Sequence, residues 1–118
     1  MRVRRIFQAS GRFRLAQKCS NTRSMSAPPS APRLPLSGLK LVELGHYIAA
    51  PFATRLLADL GAEVIKVEPP GGDPVRGWGS NINGNAVWFS VHGRNKLSVT
   101  LDLKKPDDRA KLIALLRR

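Results

Sequence analysis

The chain has 118 residues, enough for about one small domain, and 20 Lys and Arg against 8 Asp and Glu give it a formal charge of +12. Such a charge suggests a nucleic-acid or anionic-membrane partner, yet seven cations sit in residues 1–26, which hold no acid, and residues 27–118 carry only +5 (13 basic against 8 acidic). No run approaches the roughly 20 apolar residues of a membrane span, and the single cysteine, Cys19, permits neither an internal disulfide nor a cysteine-cluster metal site, which points to a reducing compartment.

The leader, residues 1–26, is arginine-rich, contains serine and lacks acids, with Val3, Ile6, Phe7, Phe13 and Leu15 interspersed among Arg2, Arg4, Arg5, Arg12, Arg14, Lys18 and Arg23. A helix there would be amphipathic, the pattern of a mitochondrial transit peptide and hence of a matrix address; a basic tail with no address is the plainer alternative. A secretory signal would need an unbroken apolar block of about 7–15 residues. Residues 27–35, APPSAPRLP, form a proline-rich linker, and the ordered domain is expected over 36–118.

Lys40–Leu44 reads as a strand. Pro51 suits the first turn of a helix, Phe52, Leu56, Leu57 and Leu60 recur at helical spacing, and Gly61 is placed to end it. Glu63–Glu68 reads as a second strand, so the two strands and their helix predict a right-handed βαβ unit. The stretch PPGGDPVRGWGSNINGN is dense in Gly, Pro and Asn and reads as one long functional loop. Ala86–Val91 fits a strand or a short buried helix; Leu97, Val99, Leu101 and Leu103 alternate with polar residues as in a half-buried strand; and Pro106, Asp107 and Asp108 open a last helix. The fold class expected is α/β, a Rossmann-like βαβ start of a mostly parallel sheet. With so few covering elements, Val64, Ile65, Val67, Val87, Phe89, Val99 and Leu101 are expected to lack one covering layer. The segment then reads as an incomplete domain, neither catalytic nor stable as a lone monomer.

The loop GHYIAAP after the first strand is the candidate site. A dinucleotide fingerprint would need glycine where Tyr47 and Ala50 stand, so Glu68, placed where a ribose-binding acid belongs, is weak support for a nicotinamide. No Walker loop, HExxH, GxSxG or metal-spaced His/Cys cluster occurs.

The segments APFATRLLADLGAEVIKVE, GDPVRGW and NKLSVTLDLK, in that order, resemble the opening of the class III CoA-transferases, the family of formyl-CoA transferase and succinyl-CoA–glutarate CoA-transferase. The resemblance covers residues 36–118. It implies CoA transfer between carboxylic acids through an aspartyl intermediate, a CoA thioester as substrate, no permanently bound cofactor or metal, and an interlocked homodimer without nucleic-acid or membrane partners. Ile48 and Ala49 match the CoA-contacting pair, with His46 and Tyr47 beside them, and Trp78 matches a tryptophan near the active site. Leu101, Asp102, Leu103 and Lys104 match a stretch lining the nucleotide end of CoA. His46 reads equally as a capping or packing histidine, Lys104 as a solvated surface lysine, and Trp78 as simple packing. A family arginine is replaced by Pro69, leaving Arg33, Arg76 or a residue beyond Arg118 to take its part. No aspartate here matches the catalytic one. An acyl-CoA racemase of the same fold, or a non-catalytic acyl-CoA-binding fragment, are the alternatives.

Overall fold

The computed structural model describes residues 3–5 and 33–117. In chain order they form β1 (Val3–Arg5), β2 (Lys40–Glu43), α1 (Ala49–Asp59), β3 (Glu63–Glu68), a 3-10 turn (Pro74–Gly77), β4 (Asn81–Ile82), β5 (Asn85–Ala86), α2 (Val87–Gly93), β6 (Lys96–Thr100) and α3 (Pro106–Leu116). The main sheet has the order β1-β6-β3-β2. β2 pairs parallel with β3, and β3 with β6, while β1 lies antiparallel against β6 through Val3 opposite Val99.

The expected βαβ unit is present, and its helix ends as the glycine suggests. Gly61 takes a left-handed φ of 103°. Its N–H donates to the Ala58 carbonyl at 3.0 Å and that of Ala62 to the Leu57 carbonyl at 3.0 Å, the paired bonds of a Schellman cap. The chain then enters β3 directly, where the Glu63 N–H donates to the Leu39 carbonyl at 2.8 Å.

The sheet is covered on both faces. On one, α1 packs Ala58 and Leu57 onto Val64 and Leu41; on the other, Leu112 of α3 packs onto Val67, Val99 and Leu101, flanked by Val42 and Ile65. α2 lies beside α1, where His92 stacks on Trp88 (ring centroids 5.6 Å apart) and meets Phe52 edge-on at 6.2 Å. Burial first, then the nearby Arg55 and Lys96 charges, lower the His92 pKa, so its ring packs as a neutral aromatic.

Two expectations are corrected. Val64, Val67, Val99, Leu101 and Phe89 are buried within this segment, because α1 with α2 and α3 supply two layers where too few helices were expected. Ile65 is half-buried; of that set only Val87, at the start of α2, is exposed. The large apolar side chains that stay wet lie mainly on outer helix faces, among them Phe52, Leu56, Trp88 and Ile113.

The long loop is also folded. The Asp73 carboxylate caps its 3-10 turn by accepting from the Val75 N–H at 3.0 Å. Asn83 and Gly84, both left-handed (φ 50° and 78°), close the β4–β5 hairpin, since Asn-Gly accepts the positive φ that a tight two-residue turn demands. Ala86–Val91 resolves into the end of β5 and the start of helix α2. Of the leader, Val3–Arg5 is a strand; residues 1–2 and 6–32, and so most of the amphipathic pattern, lie outside the described residues.

Candidate functional site

Parallel strands deliver their following loops to one end of a sheet. Here the C-terminal ends of β2, β3 and β6 bring together His46, Glu68, Pro69 and the whole of Leu101–Lys104 around a cleft of about 320 Å³, floored by Leu44 and Val67. His46 of the GHYIAAP loop and the LDLK stretch, more than 50 positions apart, thus share one cavity, while Tyr47, Ile48, Ala49 and Trp78 are not in its lining.

Within it the predicted residues differ in what they offer. His46 is exposed, its Nδ1 3.9 Å from Asp73 Oδ2. Leu103 and Lys104 are exposed, Lys104 presenting its ammonium to solvent. Leu101 is instead a core residue beneath α3. The Asp102 carboxylate is turned onto its own turn, accepting from the Lys104 N–H at 3.1 Å, while the Asp102 N–H donates to Asp108 at 2.8 Å.

Beside the cleft, Tyr47 and Trp78 are exposed neighbours with ring centroids 5.5 Å apart. Tyr47 holds a left-handed φ of 66°, a conformation that L-residues with large side chains adopt only under constraint. Ile48, exposed, is the residue just before α1, which begins at exposed Ala49. The helix start carries no side-chain cap and no acid in its first turn. Pro51 lacks an N–H, and the Phe52 N–H is spent on the Ile48 carbonyl at 2.7 Å, so Ala49 and Ala50 carry the uncapped donors of a positive helix end. Gly45 is obligatory, because a Cβ there would meet Ala50 Cβ at 2.3 Å.

The loops rest on charges that the sequence reading missed. Glu43, Lys66, Asp73 and Lys96 are each 2% exposed or less. Lys66 Nζ donates to Glu43 Oε1 at 2.6 Å and to the Gly45 carbonyl at 3.0 Å, and contacts Asp73 Oδ2 at 2.7 Å. Lys96 Nζ donates to Glu43 Oε2 at 2.7 Å and to the Pro51 carbonyl at 2.7 Å. Burial raises the Asp73 pKa, but the Lys66 ammonium and the Val75 N–H outweigh it and the carboxyl sits below its usual range. For Lys96, burial prevails over the Glu43 carboxylate and the pKa is lowered.

A second cluster disposes of two earlier candidates. Glu68 is buried, and its carboxylate accepts from Arg76 Nε (2.6 Å) and Nη2 (2.7 Å), Ser98 Oγ (2.5 Å) and the Asp73 N–H (3.0 Å). Burial pushes it up, yet Arg76, Ser98 and the Asp73 N–H bring it down to about 2. A carboxylate so occupied has nothing left for a ribose. Arg76 is equally committed, since its guanidinium also lies 3.7 Å over the Phe89 ring; it does not stand in for an arginine at Pro69.

Comparison with known proteins places this geometry. The profile of CoA-transferase family III matches residues 36–118. A succinyl-CoA–D-citramalate CoA-transferase of Chloroflexus aurantiacus is 52% identical over 81 residues, 67% of this chain and 20% of that protein. The human succinyl-CoA:glutarate CoA-transferase is 47% identical over 74 residues, 61% of this chain and 17% of its own length. The solved structure of Rv3272 from Mycobacterium tuberculosis in its orthorhombic form superposes with a TM-score of 0.66 at 39% identity, covering 72% of this chain and 24% of that one. The chain spans about a fifth of the length of the curated relatives it matches.

Proposed function

The chain belongs to CoA-transferase family III, and from that premise we propose that it is the N-terminal part of a mitochondrial enzyme that moves CoA between carboxylic acids. The observation that carries this reading is the shared cleft: the GHYIAAP loop and the LDLK stretch meet at the C-terminal strand ends, beside an uncapped helix start. Each part suits a CoA thioester. The free N–H groups at Ala49 and Ala50 can face the thioester oxygen, and the small side chains there let the backbone approach. Tyr47, Ile48 and Trp78 offer apolar surface, and exposed Lys104 offers a cation to a phosphate, with Leu103 beside it.

In this proposal an aspartate carboxylate, supplied from outside these 118 residues, attacks the thioester carbonyl and expels CoA thiolate. The thiolate reopens this mixed anhydride at the aspartyl carbonyl, releasing the donor acid. The acceptor carboxylate then displaces the thiolate to form a second anhydride, and the thiolate opens that one at the acceptor carbonyl, giving the new thioester and freeing the aspartate. Asp59, Asp73, Asp102, Asp107 and Asp108 are not that nucleophile; Asp73 is held by Lys66 and Asp59 by Arg94. The isolated chain is therefore inactive, and the working enzyme is an interlocked homodimer with acyl-CoA and acid as its partners.

The test is Ala49→Phe in the polypeptide carrying this domain. A ring at the helix start should raise KM for the CoA donor about tenfold while leaving that of the acceptor acid unchanged. An unaltered donor KM would remove the loop from the thioester site.

The mitochondrial assignment rests on the acid-free leader. Cleavage between Cys19 and Pro35 would also take β1 away and free the β6 edge. A reporter fused to residues 1–35 should collect in mitochondria; diffuse cytosolic signal would refute the assignment.

A further inference from the structure

The two buried lysines grip the two ends of the GHYIAAP loop. Lys66 takes the carbonyl of its first residue, Gly45, and Lys96 that of its last, Pro51. Glu43 lies between them and binds one lysine with each oxygen, while Thr54 Oγ1 of α1 donates to the same carboxylate. Asp73 joins Lys66 to the GDPVRGW loop. Two ammonium groups meet two carboxylates, so the quartet carries no net charge.

Stability alone does not explain it. Desolvating four ions is expensive, and well-packed apolar residues of similar volume serve a core as well or better. What the ions provide is direction: an ammonium fixes a carbonyl oxygen at a defined distance, which a methyl group cannot do. The carbonyls fixed here bracket the segment that carries His46, which lines the cleft, the left-handed Tyr47 and the uncapped helix start.

We propose that Glu43, Lys66 and Lys96 are positioning residues that hold the Gly45–Pro51 loop in its donor-binding shape. The connection to catalysis rests on the function proposed above, that this loop meets a CoA thioester; the connection to loop geometry does not. Lys66→Met keeps the length of the side chain and removes both the charge and the grip on Gly45. Lys96→Met does the same at Pro51.

Two measurements on the full chain, and on a longer polypeptide that carries it, separate the claims. Amide hydrogen exchange should show protection falling about tenfold at Tyr47, whose N–H donates to Asp73, and at Phe52, whose N–H donates to the Ile48 carbonyl, in Lys66→Met, with the amides of α3 and β6 unchanged. Asp59→Asn, which loosens the Arg94 pair at the far end of α1, serves as the control and should leave the loop amides alone. In the active polypeptide, Lys66→Met should raise KM for succinyl-CoA, used as the probe donor, about tenfold and change kcat less. Uniform loss of protection across the domain would overturn positioning and leave a purely structural role. Loop-confined loss with an unchanged donor KM would uphold the positioning of the loop and overturn its placement at the thioester.

Discussion

The two faces of the sheet are held by different physics. Toward α3 the contacts are apolar, with Val67, Val99 and Leu101 all buried around Leu112. Toward α1 the face is apolar only near the N-terminal strand ends, at Leu41 and Val64. The rest of that face is Glu43, Lys66 and Glu68 farther along β2 and β3, with Lys96 and Ser98 of the neighbouring β6, every one of them buried and bonded. Hydrophobic contact tolerates sliding because it has no preferred direction. The ion-paired end has fixed donors and acceptors, and it underlies the loops at the cleft. The contrast teaches that directional bonds hold the GHYIAAP loop, while non-directional packing of Val67 and Leu101 supports the opposite side of the cleft.

Breaking the charged face should have the largest effect. Glu43→Ala leaves Lys66 and Lys96 without their shared carboxylate, and removing one partner from a buried ion pair costs about 3–5 kcal/mol. Urea titration should show that loss; a midpoint within error of the parent would mean the two lysines find other partners.

The neighbouring cluster sharpens the comparison through pH. Glu68 has its folded pKa depressed from 4.5 to about 2. Its contribution is therefore present above about pH 4.5 and disappears as pH falls through about 2. With Arg76 partly solvated, the loss should be on the order of 2 kcal/mol. Arg76→Met should flatten that acid limb, and an unchanged limb would assign the acid sensitivity to another carboxylate.

On the apolar face the expected effect is smallest. Val99→Ala removes two buried methyl groups, worth about 1.5 kcal/mol, with no pH dependence between 3 and 7. Since Val99 faces α3, on the side of the sheet away from Lys66 and Lys96, the GHYIAAP loop keeps its anchors and donor binding should change little.

The sequence made most elements legible, and it made the charged face illegible for a definite reason. Helical spacing and Gly61 located α1, and alternation located β6. Alternation also suggested that the polar half of β6 faces water. In a parallel sheet covered on both sides that half is buried, so Lys96 and Ser98 became interior residues. β3 held a clue: Val64, Lys66 and Glu68 share one face and Ile65 and Val67 the other, so neither is a clean solvent face. A lysine at the centre of such a strand must have a partner. The partners, Glu43 and Asp73, lie 23 and 7 positions away, beyond any local pattern. Of the candidate site, His46 and Leu101–Lys104 do gather at the cleft, though Leu101 serves the core and Asp102 its own turn. The Asn83-Gly84 hairpin was readable from the dipeptide, and the glycine-rich composition around it obscured the signal.

The lysine grip makes the GHYIAAP loop non-portable. Seven contiguous residues look like a cassette that could be moved to another strand–helix junction. Their shape, however, is written at Glu43, Lys66, Asp73 and Lys96, in four separate segments spread over 53 positions. A graft that carries the loop alone would arrive with both anchoring carbonyls loose. Substitutions at the four sites are likewise bound together: any single change strands an ion, so a lineage or an engineer must alter them in charge-balanced pairs.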